Sequence, residues 1–288
     1  MASTAIYPSF EVPKKKAIHC LLIYNEHDDT GCMDWTDTLK DVLNKSYEIE
    51  SIKVFVVPST RSQLLTVRAI RKLRDEHLDS SSVLFVFYSG HGDVDDRGRL
   101  YLPAYDPANP ESPQTPPPSL DWQTLQEELI RTPSDVLIML DCCHAGAAAE
   151  FGFGSPSLER AEGGGERGNI ELFMSCRKDE VCFGGDDSFT SLLIGELEYS
   201  ATPAGWTSFT IKELEDRMTE HIGDVRAESG GADWEKGEYQ HMRMPVFKRI
   251  QRRSRSSIWL TPKKITEVLQ PLVTPSDKLL EGGRGEQD

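Results

Sequence analysis

Apolar residues fall along the chain in two alternating rhythms. Short continuous runs occupy residues 17–24 (AIHCLLIY), 49–57, 83–87 (VLFVF), 135–140 (ending VLIML) and 170–176 (IELFMSC). Runs of this length, rich in Val, Ile, Leu and Phe, predict strands buried on both faces. Pro58 closes the second of them. Between the runs the period changes to that of a helix. Trp35, Leu39, Val42 and Leu43 share one side of residues 34–43. Leu64, Leu65, Val67, Ile70 and Leu73 repeat through residues 62–77, with Arg68, Arg71, Lys72 and Arg74 between them. Trp122, Leu125 and Leu129 do the same in residues 119–130, and a further helix is predicted over 189–197. Thr210-Ile211-Lys212-Glu213 is a capping box that opens a last helix, with Leu214, Met218 and Ile222 inward. Strand and helix alternating in this way predict an α/β fold with right-handed crossovers and a parallel sheet.

The breaks in the pattern are informative too. Residues 103–118 are rich in Pro and Ser and read as an irregular surface loop. Residues 145–168 combine three alanines with Gly152, Gly154, Gly163, Gly164, Gly165 and Gly168, and leave almost nothing to pack. Arg160 and Arg167 lie there. Two readings stand: a mobile linker, or a cleavage site joining two halves of one domain. Residues 223–242 read as a loop, and 245–250 with 257–260 as a final strand or hairpin.

With 288 residues the chain can bury a sizeable core as one large α/β domain or two small ones. A net charge of −15 argues against nucleic acid or an anionic membrane surface as partner. No apolar run reaches transmembrane length, and the opening residues lack a secretory h-region. The six cysteines, at 20, 32, 142, 143, 176 and 182, include no CxxC pair and an adjacent pair unsuited to a disulfide framework. A reducing, cytoplasmic setting is expected.

Two segments carry chemistry. Tyr88-Ser89-Gly90-His91-Gly92 follows one strand, and Asp141-Cys142-Cys143-His144-Ala145-Gly146 follows another. Parallel strands would deliver both to one sheet edge, as a thiol protease needs. Cys143 is the candidate nucleophile and His91 its proton partner. Taken alone, Cys143 is more readily an inert buried thiol, as most cysteines are; a His between two glycines at a strand end makes the pair. The Gly92 and Cys143 amides are candidate oxyanion donors. His144 competes for the role of base, but a neighbour on the same turn points elsewhere. Zinc is not expected, since adjacent ligands rarely serve one tetrahedral ion, and the metal expectation is none. The chain has neither GxxxxGK[ST] nor GxGxxG, so nothing supports nucleotide binding. The basic cluster 248–255 reads as a solvated strand edge or turn.

Ser-Gly-His-Gly after one strand and Asp-x-Cys-His-x-Gly after the next resemble the caspase-fold peptidases of the metacaspase branch. SLDWQTLQEEL, IELFMSC, SFTSLLIGEL and FTIKEL are similar to caspase-like domains of filamentous fungi, over roughly residues 17–262. The resemblance implies a caspase-like (caspase-hemoglobinase) fold: a mostly parallel six-stranded sheet flanked by helices. An extension (1–16) would precede a peptidase domain (17–262), and a tail (263–288) would follow it. The domain would divide into a large half (17–150), a Gly-rich linker (151–168) and a small half (169–262).

By motif position the resemblance makes His91 the general base or acid and Cys143 the nucleophile. Asp141 falls where metacaspases place a carboxylate in the primary specificity pocket, and Ser89 also matches a pocket position. The Gly31-Cys32-Met33-Asp34 stretch is similar to a pocket-lining segment but one residue short, so Cys32 and either Asp34 or Asp37 are candidates. A carboxylate there implies protein substrates with Arg or Lys before the scissile bond. The same specificity implies self-processing at Arg160 or Arg167. No cofactor is required. Calcium enters only as an activator, against a scattered set of loop acids: Asp93, Asp95, Asp96, Asp121 and Glu150. The oligomeric state stays open: the metacaspase resemblance favours a monomer, whereas classical caspases pair through a sheet edge. Two other readings stay open: a catalytically silent caspase-like signalling or assembly module, and an Asp-specific protease.

Overall fold

The computed structural model describes residues 16–104, 119–150, 168–186, 188–205, 208–228, 242–251 and 257–263. Its centre is a six-stranded sheet made of β1 (Ala17–Asn25), β2 (Ser51–Val57), β3 (Ser82–Ser89), β7 (Asp135–Asp141), β8 (Ile170–Met174) and β10 (Val246–Gln251), in the order β10-β8-β7-β3-β1-β2. Five strands are parallel, and β10 runs antiparallel on one edge. This is the mostly parallel α/β sheet that the apolar runs predict.

The central strands are buried because helices cover both faces, which is why they read as unbroken apolar runs. Period-two alternation sorts their side chains. Leu21, Ile23, Leu84, Val86, Ile138 and Leu172 face α2 (Ser62–His77) and α3 (Trp122–Ile130), meeting Val67, Ile70, Leu73, Leu125 and Leu129. Cys20, Leu22, Phe85, Phe87, Met139 and Phe173 form the other core layer with α1 (Cys32–Ser46), α4 (Phe189–Ser200) and α5 (Ile211–Glu228). The capping box of α5 closes in both directions. The Thr210 amide donates to Glu213 Oε2 at 2.7 Å, and the Glu213 amide donates to Thr210 Oγ1 at 3.2 Å.

Four local expectations need correction. Residues 119–121 are not the first turn of α3. They form β6 (Ser119–Asp121), which joins β4 (Asp93–Val94) and β5 (Leu100–Pro103) in a small antiparallel sheet. Asp121 then caps α3, accepting the Gln123 amide at 3.0 Å. Second, the alanines after the Cys143 motif do pack. Residues Ala145–Ala149 form a 3-10 turn with Ala145, Ala147 and Ala148 buried. Small side chains fit where bulky ones could not. Third, residues 223–228, read as loop, continue α5 to Glu228.

The last correction concerns residues 257–260, which do not form a hairpin with β10. Trp259–Leu260 is β11, pairing with β9 (Phe209–Thr210) in a separate two-stranded sheet. The described part of the basic cluster lies on the edge strand β10, with one side chain turned to a buried partner. Arg249 donates from Nε and Nη2 to Glu171 Oε1 at 2.9 and 2.6 Å, and Glu171 is fully buried. Among the described residues, no helix is long and apolar enough to cross a membrane.

Candidate active site

The site lies at the carboxyl ends of the parallel strands. β3 and β7 are hydrogen-bonded neighbours in register to their last residues, with Ser89 opposite Asp141. The two motifs therefore leave the sheet side by side. The Gly90 amide continues the ladder by donating to the Asp141 carbonyl at 3.1 Å.

Two glycines make His91's position attainable. Gly90 has φ 144°, and a Cβ there would meet Asp28 Oδ2 at 2.5 Å. A Cβ on Gly92 would meet the Cys143 carbonyl oxygen at 2.3 Å and Cys142 Sγ at 2.8 Å. The backbone on either side of His91 thus threads between the β1–α1 loop and the Cys142-Cys143 turn. Asp28 Oδ2 accepts the His91 amide at 3.3 Å. Tyr88 Oη donates to the His91 carbonyl at 2.8 Å and accepts from Asn25 Nδ2 at 3.0 Å. The ring has its own partner: Nε2 lies 2.6 Å from Asp29 Oδ1.

Cys143 is partly buried, while Cys142 is buried and belongs to the core. The Cys143 thiol meets one residue beyond β8 twice. Sγ is 3.3 Å from the Cys182 amide, which donates to it, and 3.4 Å from the Cys182 carbonyl, to which it donates. Burial pushes the thiol up, and the Cys182 amide, which would stabilise a thiolate, offsets only part of this. His144 turns away. In left-handed backbone (φ 58°), its Nδ1 sits 2.7 Å from the Lys178 carbonyl.

A cavity of about 140 Å³ joins the motifs, and Ser89, Gly90, His91, Asp141 and Cys143 line it. Cys32 lines it as well, from the first turn of α1. Asp34 and Asp37 do not reach it; both are exposed on α1. Asp141 is held in the cavity wall by α4, where the Thr190 amide, in the first turn of that helix, donates to Oδ2 at 3.2 Å. Burial nevertheless pushes its carboxyl up to about 6, against the lowering effect of the Thr190 hydrogen bonds. Gly92 sits against the backbone of Cys143, close to its carbonyl oxygen. Arg160 and Arg167 lie outside the described residues.

Sequence reasoning missed the rest of the wall. Thr30 and Trp35 come from the β1–α1 region; Cys182, Phe183, Gly184 and Ser188 come from the segment before α4. Asp28 and Asp29 were missed as well. They form with His91 the one group of metal-type donors among the described residues, all ligand atoms within 4.8 Å. The loop acids considered for calcium do not converge. Asp95 pairs with Arg99, Asp93 accepts from Tyr101, Asp121 caps α3 and Glu150 pairs with Lys178.

Comparison with known proteins gives this arrangement a context. The family model described as caspase domain matches residues 18–254. No curated protein sequence matches the chain. Among solved structures, caspase-1 from Spodoptera frugiperda is similar with a TM-score of 0.53 at 16% identity, over 82% of this chain and 87% of that one. The Drosophila initiator caspase Dronc has a TM-score of 0.42 at 11% identity, covering 82% of each chain. Chaetomium thermophilum Raptor has a TM-score of 0.41 at 12% identity, over 77% of this chain but 20% of that one. With the fold of a caspase and a family match over most of its length, the chain belongs to the caspase-domain family, whose members are cysteine peptidases.

Proposed function

We propose that this chain is a cysteine endopeptidase that cuts protein substrates after Arg or Lys, within the metacaspase branch of the family. One observation supports the specificity most directly: the Asp141 carboxyl shares a small cavity with Cys143 and His91. A carboxylate at the floor of a narrow pocket attracts a guanidinium or ammonium and repels a substrate carboxylate. Ser89 and Cys32 complete that pocket.

In this reading the Cys143 thiol passes its proton to His91, and the thiolate attacks the substrate carbonyl carbon. The C=O electron pair moves onto oxygen, where the Gly92 and Cys143 amides receive it. The tetrahedral intermediate collapses with cleavage of the C–N bond, and His91 returns the proton to the departing amine. Water then adds to the thioester, giving up its proton through His91 to the Cys143 sulfur and releasing the acid. No cofactor takes part, and calcium enters only as an activator. Substrates are proteins or peptides and the enzyme acts as a monomer, in a reducing setting that suits its free thiols. Self-processing at Arg160 or Arg167 follows from the same specificity.

The test is hydrolysis of matched fluorogenic peptides ending in Arg, Lys or Asp, with and without calcium, by wild type and Cys143→Ala. Cleavage after Arg and Lys, lost in the variant, is expected; cleavage after Asp alone would overturn the role of Asp141. A second reading, a silent assembly module, draws on the engagement of the Cys143 thiol by Cys182. It predicts no hydrolysis under any of these conditions.

A further inference from the structure

The contact between Asp29 and the His91 ring has no counterpart in the two sequence motifs. Asp29 lies in the turn between β1 and α1, remote in sequence from both. Its Oδ1 approaches His91 Nε2 at 2.6 Å. Asp28, one residue earlier, accepts the amides of His91 and Thr30. Two successive carboxylates of one turn thus divide the work: Asp28 holds the backbone of His91 and Asp29 holds its ring.

We propose that Asp29 is a positioning residue for His91, a third member that makes the Cys143–His91 pair a triad. This assignment rests on the peptidase reading. The argument is one of donors and acceptors. An ionised carboxylate only accepts hydrogen bonds, so a neutral His91 in this contact carries its proton on Nε2. Its lone pair is then on Nδ1, free to take a proton from a thiol. When the ring becomes cationic during the reaction, the same carboxylate faces the new charge, as the acid of a Ser-His-Asp triad does. The Asp29 carboxyl is itself lowered, the His91 hydrogen bond being the main cause.

Both side chains are well exposed, at 62% for Asp29 and 47% for His91. Water can therefore replace part of the interaction, and its effect on stability is small. The expected catalytic effect is correspondingly below the ~10⁴-fold that a buried triad carboxylate supplies.

The experiment compares wild type, Asp29→Ala, Asp29→Asn and Asp29→Glu by two readouts. The first is the ring ¹⁵N spectrum of His91, assigned with His91→Asn, which needs no turnover. Wild type and Asp29→Glu are expected to show the Nε2–H tautomer. Asp29→Asn is expected to keep it, through its amide oxygen, and Asp29→Ala to show a mixture. The second is hydrolysis of an Arg-ended fluorogenic peptide. Asp29→Ala is expected to lower kcat about tenfold and change KM less than about twofold, with Asp29→Glu restoring most of the rate. An unchanged tautomer in Asp29→Ala overturns the assignment, as does a loss of rate carried by KM or by a lowered Tm. A tautomer change in a protein whose wild type cleaves no peptide would sustain Asp29's hold on His91 and overturn the peptidase reading instead.

Discussion

The thiol of Cys143 sits between the amide and the carbonyl of Cys182, at 3.3 and 3.4 Å. A residue that follows β8 thereby engages the sulfur of a residue that follows β7. Part of the wall of its cavity is apolar: Phe183, next to Cys182, lines it and is 41% exposed.

Burial of this sulfur, which the Cys182 amide offsets only in part, predicts a sluggish thiol. Burial raises the Cys143 pKa from its usual 9.0, and only the thiolate reacts readily. Alkylation of Cys143 by iodoacetamide should be slower at pH 8 than that of free cysteine and should still be climbing beyond pH 9. Arg243 Nε holds the Val181 carbonyl at 3.0 Å. Arg243→Ala should loosen that segment and speed the reaction, read by mass spectrometry of the Cys143 peptide.

Asp141 predicts a pH-dependent preference. Its carboxyl is raised to about 6, so in the free protein it is neutral below that pH and anionic above it. Discrimination for an Arg-ended over a Gln-ended peptide should grow as pH rises through about 6. Asp141→Asn should flatten the curve and cost about 10–100-fold in kcat/KM for the Arg peptide, the worth of one hydrogen bond to a charged group. The stability sign follows from the same shift. Folding favours the protonated acid, so charging it costs roughly 3 kcal/mol once pH exceeds about 6, and nothing below about 3.8, the unfolded value. Asp141→Asn should therefore raise Tm more at pH 7.5 than at pH 5.

Gly92 predicts an intolerant backbone. A methyl group there would lie 2.3 Å from the Cys143 carbonyl oxygen, too close for any relaxation short of moving the turn. On the proposed mechanism, Gly92→Ala should lower kcat by at least about 100-fold, the cost of losing one oxyanion donor, while KM moves little. Stopped-flow measurement of the acylation step would show the loss there.

The buried Glu171–Arg249 pair predicts a stability defect far from the chemistry. Desolvation raises the Glu171 carboxyl even with Arg249 beside it. Removing Arg249 strands the charge, and Arg249→Ala should cost about 3–5 kcal/mol by urea unfolding. Pairing it with Glu171→Gln should recover much of that loss, since no buried charge is then left alone.

The apolar runs made the sheet legible because β3, β7 and β8 are covered on both faces and tolerate little else. His91 and Cys143 were legible because each lies a few residues beyond such a run. The three-stranded sheet escaped notice, since strands of two to four residues carry too few positions for a period to register. Ala145–Ala149 misled for a different reason: small residues signal both loose linkers and tight packing, and only the neighbouring surfaces decide between them. Asp29, Thr190 and Cys182 reach the site through contacts of 39 to 62 residues' separation, which no local motif encodes.

The place of β8 in the sheet has one more consequence. It is seated between β7 and β10, and Phe173 shares a core layer with Leu137 and Met139. The strands before residue 150 and those after residue 168 are held together by ladders and buried surface, independently of the covalent path between them. Severing that path would leave one body with two extra chain ends, and no partner would drift away. Such a nick would be silent to size-exclusion chromatography, plain on a denaturing gel and impossible for the molecule to reverse.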